Sequence, residues 1–337
     1  MMTANEQVSD LHKQSELPDA ATISIVVATF DRPNDLRECL SYLVNQQTNR
    51  KVEIIVVDNH PASGLTAPVV AGFPKVKLVS EARRGLAYAR NKGILASGGE
   101  IIIATDDDVI APPDWLEKLI APFADPKVMV VTGNVLPWRL ETRAQRLFEA
   151  YGGLGRGDQK RIVDGEWFGN CRSAVPTWSL GATANAAFRR SIFNHPQIGL
   201  MYEALGPGMP SGVGEDTYLF YKVLKAGFSI TYEPAAFVWH KHRREMRELR
   251  RQIFNYSKGH VAYHLTTLFR DGDWRALINL FVLLPGTHLR RALSRLLGRN
   301  EYPLSMILLE MAGNLISPIA LWQSRRCVKR ERHGNLR

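Results

Sequence analysis

The sequence predicts a doubly wound α/β domain, a largely parallel sheet with helices on both faces, followed by a basic C-terminal helical extension. Three observations carry that expectation. Short β-branched runs alternate with helical patterns over the first 135 residues. Those runs are apolar on both faces, as strands are when helices cover each side of a sheet. From about Arg243 the pattern changes to long, arginine-rich amphipathic stretches.

Taken in order, residues 1–21 are polar and lack the apolar core of a secretory signal, so a disordered lead is expected. Strands follow at Ile23 to Ala28, Val52 to Val57, Val76 to Val79, Glu100 to Ala104 and Val128 to Val131. Helices are expected from Pro33 to about Gln47 and from Leu86 to Ala96, where Ala, Leu and Arg replace the β-branched residues. Periodicity then fades between Pro137 and Leu180. A stretch of that length suggests a lid or substrate loop, with some helix around Arg143 to Tyr151. The glycines between Gly152 and Gly157 follow no strand and read as loop flexibility. Regular pattern resumes at Thr183 to Arg189, in a helix from Asp216 to Ala226, and in two short strands around Pro234. The extension is expected to break near Gly272, Gly286 and Pro303. The division is therefore a lead at 1–21, an α/β domain at 22–242 (halves at about 22–135 and 136–242), and an extension at 243–337.

Charge is unevenly spread. Of the net +10, the chain from Trp239 onward carries 19 Lys and Arg against 7 Asp and Glu, while the part before it carries 24 against 26. A basic tail on a near-neutral front points to an anionic surface as partner, and its Leu-rich faces suit a membrane surface. Residues 303–322 are the nearest approach to a spanning helix. Glu310, Asn314 and Pro318 within them argue for an interrupted segment that does not cross. Cys39, Cys171 and Cys327 are too scattered for a metal spacing, which fits inert thiols in a reducing cytoplasm.

The chemistry lies where strands end. Ligands of open parallel sheets bind beyond the carboxyl ends of the strands. Three strands deliver acids there: Asp31 after the first, Asp58 after the second, and Asp106-Asp107-Asp108 after the Ile-rich fourth. Three adjacent carboxylates repel unless a cation or strong donors neutralise them, and oxygen ligands suit Mg2+ or Mn2+ bridging a diphosphate. Neither GxGxxG nor GxxxxGK[ST] follows the first strand, which runs instead into Thr29-Phe30-Asp31-Arg32-Pro33.

Several segments, in order, resemble the family 2 glycosyltransferases, whose catalytic domain has the GT-A fold. Ser24 to Arg32 resembles the family's opening strand and uridine loop, Glu53 to Asn59 its second strand, and Arg84 to Gly93 its donor-site helix. Asp106-Asp107-Asp108 stands where the family has its DxD motif, and Gly214-Glu215-Asp216 resembles the ED motif. The resemblance covers about Ile23 to His240. It implies inverting transfer of one sugar from a nucleotide-sugar, UDP-linked by family default, to the hydroxyl of a saccharide or lipid-linked acceptor. It assigns Thr29, Asp31, Asp58, Arg90, Asp106 and Asp107 to the donor, Asp106 and Asp108 to the metal, and Asp216 to the catalytic base. His240 is a candidate to complete the metal shell, and Trp178 resembles part of the acceptor-side wall. No QxxRW motif of the processive members is present. The expected setting is cytoplasmic, peripheral on the inner face of the plasma membrane, in envelope or exopolysaccharide assembly.

Two rival readings stay open at this point. A nucleotidyltransferase of similar architecture would want a Gly-rich, basic loop after the first strand, which Thr29 to Pro33 is not. A basic nucleic-acid-binding protein would leave the acid cluster unexplained, so no nucleic acid is expected as a partner.

Overall fold

The computed structural model describes residues 21–299 and 301–334. The expected disordered lead falls, for residues 1–20, outside the described residues; Ala21 is buried against the core.

The first half alternates as anticipated: β1 (Ile23–Thr29), α1 (Pro33–Leu43), β2 (Val52–Asp58), α2 (Thr66–Ala71), β3 (Val76–Ser80), α3 (Leu86–Ala96) and β4 (Ile101–Asp106). These four strands are parallel in the order β3-β2-β1-β4. Alternation divides β1 between two cores. Ile23, Ile25 and Val27 pack with Leu36 and Leu40 of α1, while Val26 and Ala28 face Ala87, Ala89 and Ile94 of α3. Helix α3 lies so close that a Cβ at Gly93 would collide with the Val26 and Val57 side chains. Register then aligns the strand ends: Thr29 sits opposite Asp58, and Ala28 opposite Asp106.

Beyond β4 the sheet turns mixed. The elements are β5 (Val109–Ile110), α4 (Trp115–Ile120), β6 (Val128–Pro137), α5 (Arg143–Tyr151), β7 (Arg161–Val163), α6 (Gly165–Asn170), β8 (Asn185–Arg189), α7 (Ser191–Asn194), α8 (Glu215–Lys225) and β9 (Ser229–His240). Strand β8 runs antiparallel to both β4 and β6, whereas β9 is parallel to β6 and antiparallel to β5 and β7. The two strands expected around Pro234 are one 12-residue strand, whose pairing with β6 absorbs the irregularity as a register shift between Gly133 and Val135. Residues 137–180 carry short elements of their own, α5, β7 and α6.

The extension consists of α9 (Met246–Asp271), α10 (Arg275–Ile278), a π-helical turn (Asn279–Leu283), α11 (Leu284–Leu296) and α12 (Leu304–Gly334). Two apolar clusters fasten it to the domain. One joins Phe148 of α5 to Ile253, Met306 and Ile307, and the other joins Tyr218 and Tyr221 of α8 to Tyr263 and Leu321. Helix α9 ends at Gly272, as expected. Gly286 does not break α11, because a glycine inside a helix costs only about 1 kcal/mol. Pro318 does not interrupt α12 either: the helix runs 31 residues through it. By length and composition alone, Leu304–Arg332 is long and apolar enough to cross a membrane, a test that a packed core helix also passes. About 39% of its apolar window is buried against the rest of the protein, which leaves most of it uncovered.

Candidate active site

The turn after β4 sets the geometry. Asp106 ends the strand, Asp107 and Asp108 occupy the turn, and all three line one cavity, with Arg32 Nη1 touching both Asp107 and Asp108. Asp107 is buried, accepts a hydrogen bond from Thr29 Oγ1 at 2.7 Å and meets Arg32 Nη1 at 3.1 Å. Burial and the neighbouring Asp108 push its pKa up to about 7. Backbone pairing brings the fourth member in. β5 pairs with β9 so that Val109 faces His240, and the Lys241 N–H donates to the Asp108 carbonyl at 3.0 Å. His240 Nε2 consequently lies 3.3 Å from Asp108 Oδ1. Burial opposes ionisation of Asp108, but His240 and Arg32 outweigh it and hold the carboxylate below its usual range. Burial would lower His240, and Asp108 outweighs it in turn and raises it.

One donor atom each from Asp106, Asp108 and His240 falls within 4.8 Å of the others. Asp108 Oδ1 is buried and makes no hydrogen bond beyond its 3.3 Å approach to His240 Nε2, which leaves acceptor capacity at the cluster. Two carboxylates and one imidazole, with room left for other ligands, suit a divalent cation, Mn2+ more readily than Mg2+ because of the nitrogen.

Two cavities meet at this cluster. The first, of about 570 Å3, is lined by Thr29, Phe30, Arg32, Arg84, Asp106, Asp107, Asp108, His240 and Arg251. The second, of about 640 Å3, contains Asp216 together with Arg90, Arg156, Trp178, His260 and His288. Both share Asp106, His240, Leu86, Pro207, Val213 and Tyr256. The glycine-rich loop before α8 forms part of both walls, contributing Pro207 and Val213 to each. Gly214 caps α8 in the left-handed region (φ 113°), where a side chain would be strained, and so delivers Glu215 and Asp216 at the helix start.

Asp216 is half-buried. Its Oδ1 accepts from the Thr217 N–H (2.7 Å) and hydroxyl (3.2 Å), which leaves Oδ2 with only a long contact to the Thr183 N–H at 3.4 Å. Its neighbour Glu215 is fully buried, and burial plus the Asp216 charge raise its pKa to about 7 against the pull of Arg90. Arg90 is buried too. It bonds Asp106 at 2.6 Å, Glu215 at 2.9 Å and the Thr183 hydroxyl, and so ties the metal cluster to the segment bearing Asp216.

The site residues expected from sequence therefore divide. Asp106, Asp108 and His240 converge, and Asp216 stands in the adjoining cavity. Thr29 and Asp107 line the first cavity but are committed to each other. Arg90 lines the second cavity and not the first. Asp31 and Asp58 lie at the strand ends without lining either. Asp31 bonds His60 Nδ1 at 2.8 Å, and Asp58 accepts the His60 N–H at 3.0 Å. Sequence reasoning missed Arg32, whose guanidinium joins Asp107 and Asp108 (2.6 Å to the latter), although its place just past β1 was a usable signal. It also missed the stack of Phe30 on His60 (centroids 5.1 Å apart) with Arg84 over the Phe30 face. Trp178 does line the second cavity, edge-on to His260 and His264.

A sheet of this order, with an acidic turn where the parallel half ends and a second cavity built on a later helix start, defines a GT-A-like α/β fold. The model of glycosyl transferase family 2 matches residues 24–195, half of the chain, and the chain belongs to that family. An N-acetylglucosaminyltransferase of Bradyrhizobium diazoefficiens is 26% identical over 79% of this chain and 53% of its own length. A pre-mycofactocin glycosyltransferase of Mycobacterium tuberculosis is 24% identical over 68% of this chain and 45% of its own. The chain thus spans about half the length of these curated relatives. Among solved structures, a mannosyltransferase from Pyrobaculum calidifontis in complex with GDP-Man and Mn2+ shares the fold, with a TM-score of 0.58 at 18% identity over 88% of this chain and 87% of that one.

Proposed function

We propose that this chain transfers a single sugar, with inversion, from a nucleoside-diphosphate sugar to an acceptor hydroxyl. The observation that carries the reading is the junction of two cavities at Asp106 and His240, one bearing the metal cluster and the other Asp216. The donor occupies the first cavity, its nucleoside end toward Phe30 and Arg84 and its diphosphate toward Asp106, Asp108 and His240. Asp106, Asp108 and His240 would hold a divalent cation, which would supply charge neutralisation for the departing diphosphate. The acceptor occupies the second cavity. Asp216 Oδ2 takes the acceptor hydroxyl proton as that oxygen bonds to the anomeric carbon, and the bond from that carbon to the diphosphate oxygen breaks. A single base and in-line displacement invert the configuration, unlike retention through a carboxyl pair. UDP is the donor nucleotide that the family resemblance implies.

Titration calorimetry of UDP, GDP and dTDP tests the donor half, with Mn2+ and then with chelator. One nucleotide should bind in a metal-dependent way and lose that binding in Asp108→Ala. Folded protein that binds none of them would remove the assignment.

We further propose a membrane-peripheral setting on the cytoplasmic side, with a lipid-linked acceptor. Phe281, Leu296 and Leu315 are 75%, 70% and 80% exposed on α10 to α12 and the turn between them, interspersed with Arg290, Arg295, Arg326 and Arg330. An apolar face rimmed by arginines complements an anionic interface. Flotation with vesicles containing about 30% phosphatidylglycerol should carry the protein. Neutral phosphatidylcholine vesicles should carry it weakly, and equal retention by neither would refute the setting.

A further inference from the structure

The expected metal ligand His240 is only the first ring of a buried chain. Its Nδ1 lies 2.9 Å from Nδ1 of His242, and His242 Nε2 lies 2.7 Å from Glu149 Oε1 on α5. His242 is 1% exposed at its side chain, held edge-on by Phe148 at 4.9 Å between centroids. The Glu149 carboxylate has space because residue 153 is glycine: a Cβ there would lie 2.9 Å from Oε2 and closer still to Oε1. The glycine run that reads in the sequence as flexibility thus seats a carboxylate.

The proton positions follow from what each atom can do. A carboxylate only accepts, so the His242 nitrogen facing Glu149 must carry hydrogen. A neutral imidazole has one N–H, so His242 Nδ1 is then a bare acceptor. The facing Nδ1 of His240 must therefore be the donor. With both rings neutral, that leaves His240 in the Nδ1–H tautomer. Its Nε2, 3.3 Å from Asp108 Oδ1, can then offer a cation the lone pair that holds a proton against Asp108 when the ring is charged. Reversing any member of the chain would turn an N–H toward the place where a cation would bind.

We propose that His242 and Glu149 are positioning residues for the metal centre: they lock His240 in the Nδ1–H tautomer and so make Nε2 a preformed ligand. Outer-shell partners of this kind typically govern about 10- to 100-fold in metal affinity. The proposal rests on the cation-binding reading of Asp106, Asp108 and His240, and the test separates the two.

Mn2+ binding is followed by electron paramagnetic resonance in the full chain, for wild type, Asp108→Ala, His242→Phe, His242→Asn and Glu149→Ala. His242→Phe keeps an aromatic ring in the pocket but cannot accept the His240 proton. It should weaken Mn2+ by about 10- to 100-fold, as should Glu149→Ala. His242→Asn offers an amide oxygen as acceptor and should recover most of the loss, which a purely structural role would not produce. Nitrogen-15 imidazole shifts of the metal-free wild type at alkaline pH give an independent reading and should show His240 with hydrogen on Nδ1. Wild-type affinity in both His242→Phe and Glu149→Ala, or hydrogen on Nε2, overturns the proposal. Equal Mn2+ binding by wild type and Asp108→Ala would instead overturn the underlying metal site.

Discussion

The two cavities are built in opposite ways, although they meet at one carboxylate. The first is walled on one side by strand ends that arrive in sequence order, Thr29 from β1 and Asp106 to Asp108 from β4, with α9 residues such as Arg251 and Asn255 also lining it, and it is crowded with paired charge. The second draws on α3, α5, α8, α9, α11 and α12, and much of its wall is aromatic and imidazole: Trp178, Tyr263, His260 and His288. Burial lowers the pKa of both of those histidines, so that aromatic stretch of wall is neutral, while Arg90, Arg156, Asp216, Arg291 and Glu310 put charge elsewhere in the same cavity. A charged wall is what a metal–diphosphate needs, and a neutral aromatic wall is what a sugar ring can stack on. The chemistry of each pocket thus follows from which elements were available to build it.

The sharpest way to break this division is to disable one side alone. Asp216→Asn retains the acceptor group that Thr217 bonds but cannot take a proton. It should cut kcat by about 10²- to 10⁴-fold while metal-dependent nucleotide binding stays at the wild-type level. Parallel loss of nucleotide binding would mean that the cavities do not divide the work as proposed.

That asymmetry also explains what was legible in the sequence. The parallel half could be read because each strand is a short contiguous run, and its acids follow directly: Asp106 and Asp108 were identifiable from three letters after an Ile-rich strand. His240 was reachable because it ends a strand, but its distance to Asp108 depends on β5 pairing with β9, two elements 130 residues apart in the chain order. Glu149 was unreadable. Nothing local distinguishes it from any glutamate on an amphipathic helix, and only the packing of α5 beside the end of β9 brings it to His242. The mixed half of the sheet was hidden for a similar reason. β8 and β9 are apolar like parallel strands, and direction is a property of the connections, not of the run. The continuity of α12 through Pro318 was missed because proline was weighed as a breaker, and in a long helix packed on α9 its local cost is outvoted.

Arg90 is where the two regions can be uncoupled. It bridges Asp106 in the shared wall and Glu215 beside the base, at 2% exposure. Arg90→Met would leave the buried Glu215 carboxyl without its cation, which typically costs about 3–5 kcal/mol at a pH above about 7, where that group is ionised. Urea unfolding should show that loss, and Arg90→Lys should restore only part of it, since one ammonium cannot span three partners. Unchanged stability in Arg90→Met would show the cavities to be mechanically independent.

A subtler contrast concerns pH. Each region holds one carboxyl raised to about 7: Asp107 by burial and Asp108, and Glu215 by burial and Asp216. Where the folded pKa is raised above the unfolded one, the folded state binds more protons across the interval. Stability is then full below the unfolded value and declines as pH rises through the folded one. With chelator present, these two groups should therefore make unfolding free energy fall between about pH 4 and about pH 7, each contributing at most about 1.4 kcal/mol per pH unit. The lowered His260 and His288 act with the opposite sign below about pH 6.5. Asp108, whose folded pKa is depressed, acts below that window and with the opposite sign. Glu215→Gln keeps the side-chain shape and removes one of the two titrations. It should remove one of these two falling contributions, and Asp107→Asn should remove the other in the double variant. A slope untouched by Glu215→Gln would show that Glu215 does not titrate in this window and would leave the falling contribution to Asp107 alone.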